Sequence, residues 1–168
     1  YFNTHRMVEE YTEASYLPAH RAGSRLSANG HSAARDLAAW RERSASAWPG
    51  VTIRVEETRK QKEMLVGDTV GVAVRVRLAG LAPAEVAVEI RYGYYDAAGE
   101  LRMGTILSAR HDGRDGDEEI YRVEIPCAGS GRYGFAARVL PRHPDLANPL
   151  TPLRMTWEES VPGDSGGA

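Results

Sequence analysis

Ahead of Trp48-Pro49-Gly50 the apolar residues recur every three or four positions; beyond it they recur every second position. Met7, Val8, Tyr11 and Ala14/Ser15 fall on one helical stripe. Asn3 or Thr4 can cap that helix, and Glu9 and Glu10 suit its early turns. Pro18 interrupts the helix or restarts it. Ser32 can cap a further helix through Asp36, Leu37, Trp40 and Arg43, whose apolar face is Ala33, Leu37, Trp40 and Ser44/Ala47. Between the two, Gly23, Asn29 and Gly30 weaken continuity.

After Pro49 the alternation predicts strands. Val70, Val72, Val74, Val76 and Leu78 alternate with Gly71, Ala73, Arg75 and Arg77. Val86, Val88, Ile90, Tyr92 and Tyr94 form a second series, and Leu101, Met103, Thr105 and Leu107 a third. Tyr121, Val123 and Ile125 make a fourth, and Tyr133, Phe135, Ala137 and Val139 a fifth. Thr52, Ile53 and Val55 open the set, and Leu153, Met155 and Trp157 close it. Each strand has one face for a core and one for water. Turn residues separate them at Gly67-Asp68, Asp96-Ala97-Ala98-Gly99, the polar stretch 112–117 and Gly129-Ser130-Gly131. About seven antiparallel strands of this kind predict a mainly β fold, an immunoglobulin-like sandwich preceded by a short α-helical segment. Tyr133 sits where a tyrosine corner is expected, with Phe135 in place of a cysteine. The expected organisation is a helical segment over 1–48, the sandwich over 49–160 and a disordered Gly- and Ser-rich tail over 161–168.

Composition narrows the function classes. The chain has 168 residues and a formal net charge of −2. With no basic stripe, no nucleic-acid partner is expected. No apolar run spans a bilayer, so no membrane partner is expected. The single cysteine, Cys127, rules out a disulfide within the chain and fits a reducing, cytoplasmic setting. The opening Tyr1-Phe2-Asn3-Thr4-His5-Arg6 lacks the layout of a signal peptide and reads as a start in mid-protein.

Candidate chemistry is sparse. Gly129-Ser130-Gly131-Arg132-Tyr133-Gly134 has the dinucleotide spacing, but a strand, not a helix, is expected after it, so it reads as a turn. Asp112, Asp115 and Asp117 could offer oxygen ligands, yet their spacing misses a calcium loop, and a solvated hairpin tip is expected. His5, His20, His31, His111 and His143 have no zinc-site spacing, Cys127 has no CxxC companion, and Cys127 reads as a small buried residue. No catalytic, cofactor or metal residue is assigned. Aromatic residues could stack on sugar rings. Tyr92 and Tyr94 share parity with the core residues Val88 and Ile90, whereas Tyr95 and Trp157 remain as possible glycan contacts. The stretch His143-Pro144-Asp145-Leu146-Ala147-Asn148-Pro149-Leu150 reads as a stiff connection, with a docking loop as the functional alternative.

Two stretches carry a resemblance. Tyr1-Phe2-Asn3-Thr4-His5-Arg6-Met7-Val8-Glu9-Glu10-Tyr11, with Tyr16-Leu17-Pro18-Ala19, resembles the last helices of the catalytic region of α-glucan (glycogen-type) phosphorylases. Gly131-Arg132-Tyr133-Gly134-Phe135, Arg138-Val139-Leu140-Pro141 and the stretch from His143 to Leu150 resemble the C-terminal extension of the family's bacterial branch. With Ala39-Trp40 and Ala47-Trp48-Pro49-Gly50, the resemblance spans nearly the whole chain. It implies a parent enzyme that cleaves α-1,4-glucan with inorganic phosphate, releases glucose 1-phosphate and holds pyridoxal phosphate on a Schiff-base lysine. This chain lacks the Gly-rich lysine motif, and its only lysines are Lys60 and Lys62. The resemblance therefore carries over no catalytic residue and implies the chemistry lies upstream. The implied partners are the upstream catalytic region, further copies in an oligomer, and α-glucan. A carbohydrate-binding module and a plain interaction module are the alternatives.

Overall fold

The two periodicities become one broken helix and two sheets in the computed structural model, which describes residues 7–8, 11–56, 66–96, 98, 101–129, 133–146 and 154–158. A π-helical turn, Thr12–Tyr16, leads into helix α1, Leu17–Ala47. Pro18 is the second residue of α1, where its missing N–H costs nothing, so it restarts the helix. The helix breaks at Ala28, Asn29, Gly30 and His31. Asn29, Gly30 and His31 have φ of 50°, 63° and 65°, a left-handed turn of the kind Asn and Gly tolerate. Helical angles resume at Ser32, and the Arg35 guanidinium donates to the Gly30 carbonyl at 2.6 Å. On the second half, Trp40 and Ser44 are buried, with Ala33, Leu37 and Ala47 half-buried beside them, as the stripe predicted. The capping residues Asn3 and Thr4, and Glu9 and Glu10, lie outside the described residues.

The strands among the described residues are β1 (Thr52–Val55), β2 (Thr69–Arg77), β3 (Val86–Tyr95), β4 (Leu101–Ser108), β5 (Arg110–Asp115), β6 (Glu118–Pro126), β7 (Tyr133–Pro141) and β8 (Thr156–Trp157). They form two antiparallel sheets, β1-β2-β6-β5 and β4-β3-β7-β8. Read as letters, these orders are A-B-E-D and C′-C-F-G of an immunoglobulin-like sandwich. Ile53, Val70, Val72, Val74, Val76, Tyr121 and Ile125 of the first sheet share the core with Val86, Val88, Ile90, Ala137 and Val139 of the second. Each such Val or Ile side chain contributes about 1.5–3 kcal/mol by leaving water. Tyr121 brings a buried hydroxyl with no hydrogen-bond partner among the described residues, and burial pushes its pKa up to about 12.

Three readings need correction. The stretch 112–117 is not all hairpin tip: residues up to Asp115 belong to β5, and the turn shrinks to Gly116-Asp117, with Gly116 at φ 61°. This eighth strand has no apolar alternation. Its side chains are held by distant partners: Asp112 by Arg122 at 2.5 Å, Asp115 by Arg75 at 2.7 Å, and His111 by Glu119 at 2.7 Å. A charged edge strand also resists pairing with a stray chain. Tyr94 shares parity with the core residues Val88 and Ile90, yet it is 56% exposed. It lies opposite Tyr133, where β7 has only just begun, so the pair sits at the end of the sheet. Cys127 is half-buried against the core rather than fully buried.

The joint between helix and sandwich is the 3₁₀ turn Trp48–Gly50. Trp48 is buried, and a Cβ on Gly50 would come within 2.9 Å of the Ala79 Cβ, so close packing requires glycine there. Ala79 itself has φ 51°. Above the joint, the loop after β7 receives both halves of α1. The Trp40 ring lies 5.0 Å from the His143 ring, and Arg43 pairs with Glu85 at 2.9 Å. From the first half, Arg25 pairs with Asp145 at 2.5 Å and donates to the Pro144 carbonyl at 3.0 Å. The loop is thus a docking loop for the chain's own helix; residues 147–150 lie outside the described residues. No helix among the described residues is long and apolar enough to cross a membrane.

Candidate functional site

The two sheets differ on their outward faces. On the first, charges neutralise one another. Glu118 accepts two hydrogen bonds from Arg54, at 2.6 and 3.0 Å, and these hold its carboxyl below the usual range. Arg75 reaches Glu56 and Asp115, and those hydrogen bonds raise its already high pKa. Arg77 pairs with Asp117 at 2.8 Å. Asp112, Asp115 and Asp117 are each paired to an arginine. No metal-type cluster occurs among the described residues.

On the second sheet, register builds one row across all four strands. Trp157 of β8 lies beside Arg138 of β7, which faces Glu89 of β3, which faces Ser108 of β4. The Arg138 guanidinium sits 5.4 Å over the Trp157 ring and donates twice to Glu89 Oε2, at 2.8 and 2.6 Å. A cation over an indole face fixes the ring. The Trp157 N–H points back to the Met155 sulfur at 3.1 Å.

At the Ser108 end of this row the surface turns concave. A pocket of about 340 Å³ has an apolar floor of Ala87, Leu140, Pro141 and Leu146. Its polar rim is Glu89, Ser108, Arg142 and His143. Glu89 Oε1, the Ser108 hydroxyl and the Arg142 guanidinium have no hydrogen-bond partner among the described residues, since Arg138 engages only Glu89 Oε2. His143 Nδ1 accepts from the Asp145 N–H at 3.2 Å, so the neutral ring carries its proton on Nε2 as a further donor. A second hollow of about 420 Å³ lies behind Arg142 and His143, against Trp40, Arg43 and Asp36 of α1.

The sequence-level sugar candidates do not converge. Tyr95 ends β3 opposite Leu101 and is half-buried, whereas Trp157 belongs to the Glu89 row, about 20 Å back along that strand. Glu89, Arg138, Ser108 and Arg142 escape sequence reasoning because only strand register and a loop return bring them together. Lys60 and Lys62 lie outside the described residues.

The fold defines an immunoglobulin-like domain with a helical lead. The family model described as "Glycogen phosphorylase C-terminal domain" matches residues 48–159. The chain belongs to that family. It is 38% identical over 144 residues to a glycogen phosphorylase of Mycobacterium tuberculosis (strain ATCC 25618 / H37Rv), a match covering 84% of this chain and 17% of the relative. A maltodextrin phosphorylase of Thermococcus litoralis is 29% identical over 161 residues, 94% of this chain and 18% of the relative. The chain thus spans less than a fifth of the length of these curated relatives. No solved structure matches.

Proposed function

We propose that the chain is the C-terminal accessory part of an α-glucan phosphorylase and braces or assembles the catalytic region. The observation that carries this reading is the leading stretch of helix. Met7, Val8, Tyr11, Tyr16 and Leu17 are all exposed, Tyr16 by 70%, and the sandwich covers none of them. Large apolar side chains left exposed along one segment point to a contact surface. A helix end of this length is marginal in water without a tertiary partner. In this reading the parent's phosphorolysis of α-1,4-glucan, with pyridoxal phosphate, takes place upstream in the cytoplasm, and this chain supplies none of its reacting groups. The pure chain is expected to release no glucose 1-phosphate from maltodextrin and phosphate; release would refute the accessory role. Mixed with the catalytic region, the chain is expected to sediment as a complex. A monomer that ignores the catalytic region at every concentration would rule out bracing.

A further inference from the structure

We propose that the pocket at the Ser108 end of the second sheet binds a segment of neutral α-glucan, with Trp157 as a stacking platform farther along the same row. The hollow combines hydrogen-bond acceptors and donors. Four polar residues line one hollow: Glu89, whose Oε1 Arg138 leaves free, Ser108 with its hydroxyl, and the donors Arg142 and His143. A sugar hydroxyl donates and accepts at once, so it needs a carboxylate and cationic or N–H donors side by side. An anion would leave the Glu89 acceptor without a donor, and an apolar ligand would offer none of these groups a partner. The floor of Ala87, Leu140, Pro141 and Leu146 suits the C–H face of a pyranose ring. At about 340 Å³ the hollow falls at the small end of ligand pockets.

The Glu89 carboxylate is already balanced by Arg138, itself only 11% exposed, so Oε1 offers the hollow an acceptor beside the Arg142 donor rather than a net negative charge. Arg138 in turn holds the Trp157 ring, so the two ends of the row are mechanically linked. Trp157 lies two strands from Glu89, about 10 Å away, in reach of an oligosaccharide but not of a single sugar in the pocket. The choice of α-glucan among neutral saccharides rests on the phosphorylase reading above.

The test is a nitrogen-edited NMR titration of the whole chain with maltoheptaose, cellohexaose, and glucose 1-phosphate. Maltoheptaose is expected to shift the amides of Glu89, Ser108, Leu140 and Arg142. Ser108→Trp, which fills the hollow, and Arg142→Ala, an exposed side chain whose loss leaves the fold intact, should each weaken binding about tenfold or more. Trp157→Ala should weaken maltoheptaose and leave maltose unchanged. Tyr94→Ala, at the far end of the sheet, should change neither. No shift at millimolar maltoheptaose would overturn the proposal, as would binding that survives both pocket variants. A response to glucose 1-phosphate but not maltoheptaose would make it an anion site, and a response to cellohexaose alone would remove the α-glucan assignment. None of these results touches the bracing role, which is read from the leading helix and not from this face.

Discussion

The two halves of helix α1 show what the sandwich does and does not explain. The second half carries Trp40 and Ser44 into the protein, with Arg43 tied to Glu85. The first half, with the turn before it, presents Tyr16, Leu17, Tyr11, Val8 and Met7 to solvent and is tied to the sandwich through the exposed Arg25. Both halves have helical spacing and apolar residues. They differ in whether this chain supplies a partner. The left-handed turn at Asn29, Gly30 and His31 lies between them, so the two halves need not answer to one surface.

Removing the partner of the second half should have the largest effect. Trp40→Ala should cost about 3–5 kcal/mol of chain stability in urea denaturation. It should also release both halves, read as lost amide protection across α1. If protection over the second half persists, the indole is not what holds it. Next comes the joint. Gly50→Ala should cost about 1–3 kcal/mol through its clash with Ala79. Ala79→Gly removes that Cβ and relieves a left-handed alanine, so the double variant should recover most of the loss. Additive effects would show that the two do not meet.

Smaller effects separate the first half from the strand edges. Arg25→Ala should cost at most about 1 kcal/mol, because the guanidinium is largely solvated. It should loosen residues before the break and leave those after it unchanged. Glu158 provides a control within the sandwich. Its carboxylate accepts the Val55 N–H at 3.1 Å, and burial raises its pKa above the ordinary 4.5. A raised carboxyl stabilises the fold when protonated and loses that stabilisation as pH rises through the folded pKa. Glu158→Gln keeps an acceptor and should therefore stabilise slightly at neutral pH, with the gain vanishing in acid. Thermal melts from pH 3 to 8 would show it; a gain that grows in acid would reverse the sign.

Much of this architecture is legible from residue order. Asn29 and Gly30 announce the helix break, Pro18 the restart, and the Val series of β2 and β3 the sandwich. What is not legible depends on residues distant in the chain. β5 is a strand by its backbone pairing with β6, with its polar side chains engaged by Arg75, Arg122 and Glu119, although its own sequence does not alternate. Tyr94 keeps core parity but runs out of core, a matter of where β7 begins. The pocket needs Glu89 and Arg138 in register, together with a loop that turns back over Leu140. The helical stripe of Met7, Val8 and Tyr11 is visible in the sequence, but the absence of cover for it is not.

The most direct test of the accessory role replaces Met7, Val8, Tyr11, Tyr16 and Leu17 by serine, in this chain and in a phosphorylase polypeptide that carries it. Thermal melting is measured for both. The account predicts little change for the isolated chain, about 1 kcal/mol or less per exposed site. It predicts a lower melting temperature and weaker phosphorolysis for the longer protein. An unchanged longer protein would contradict it, as would an equal loss in both.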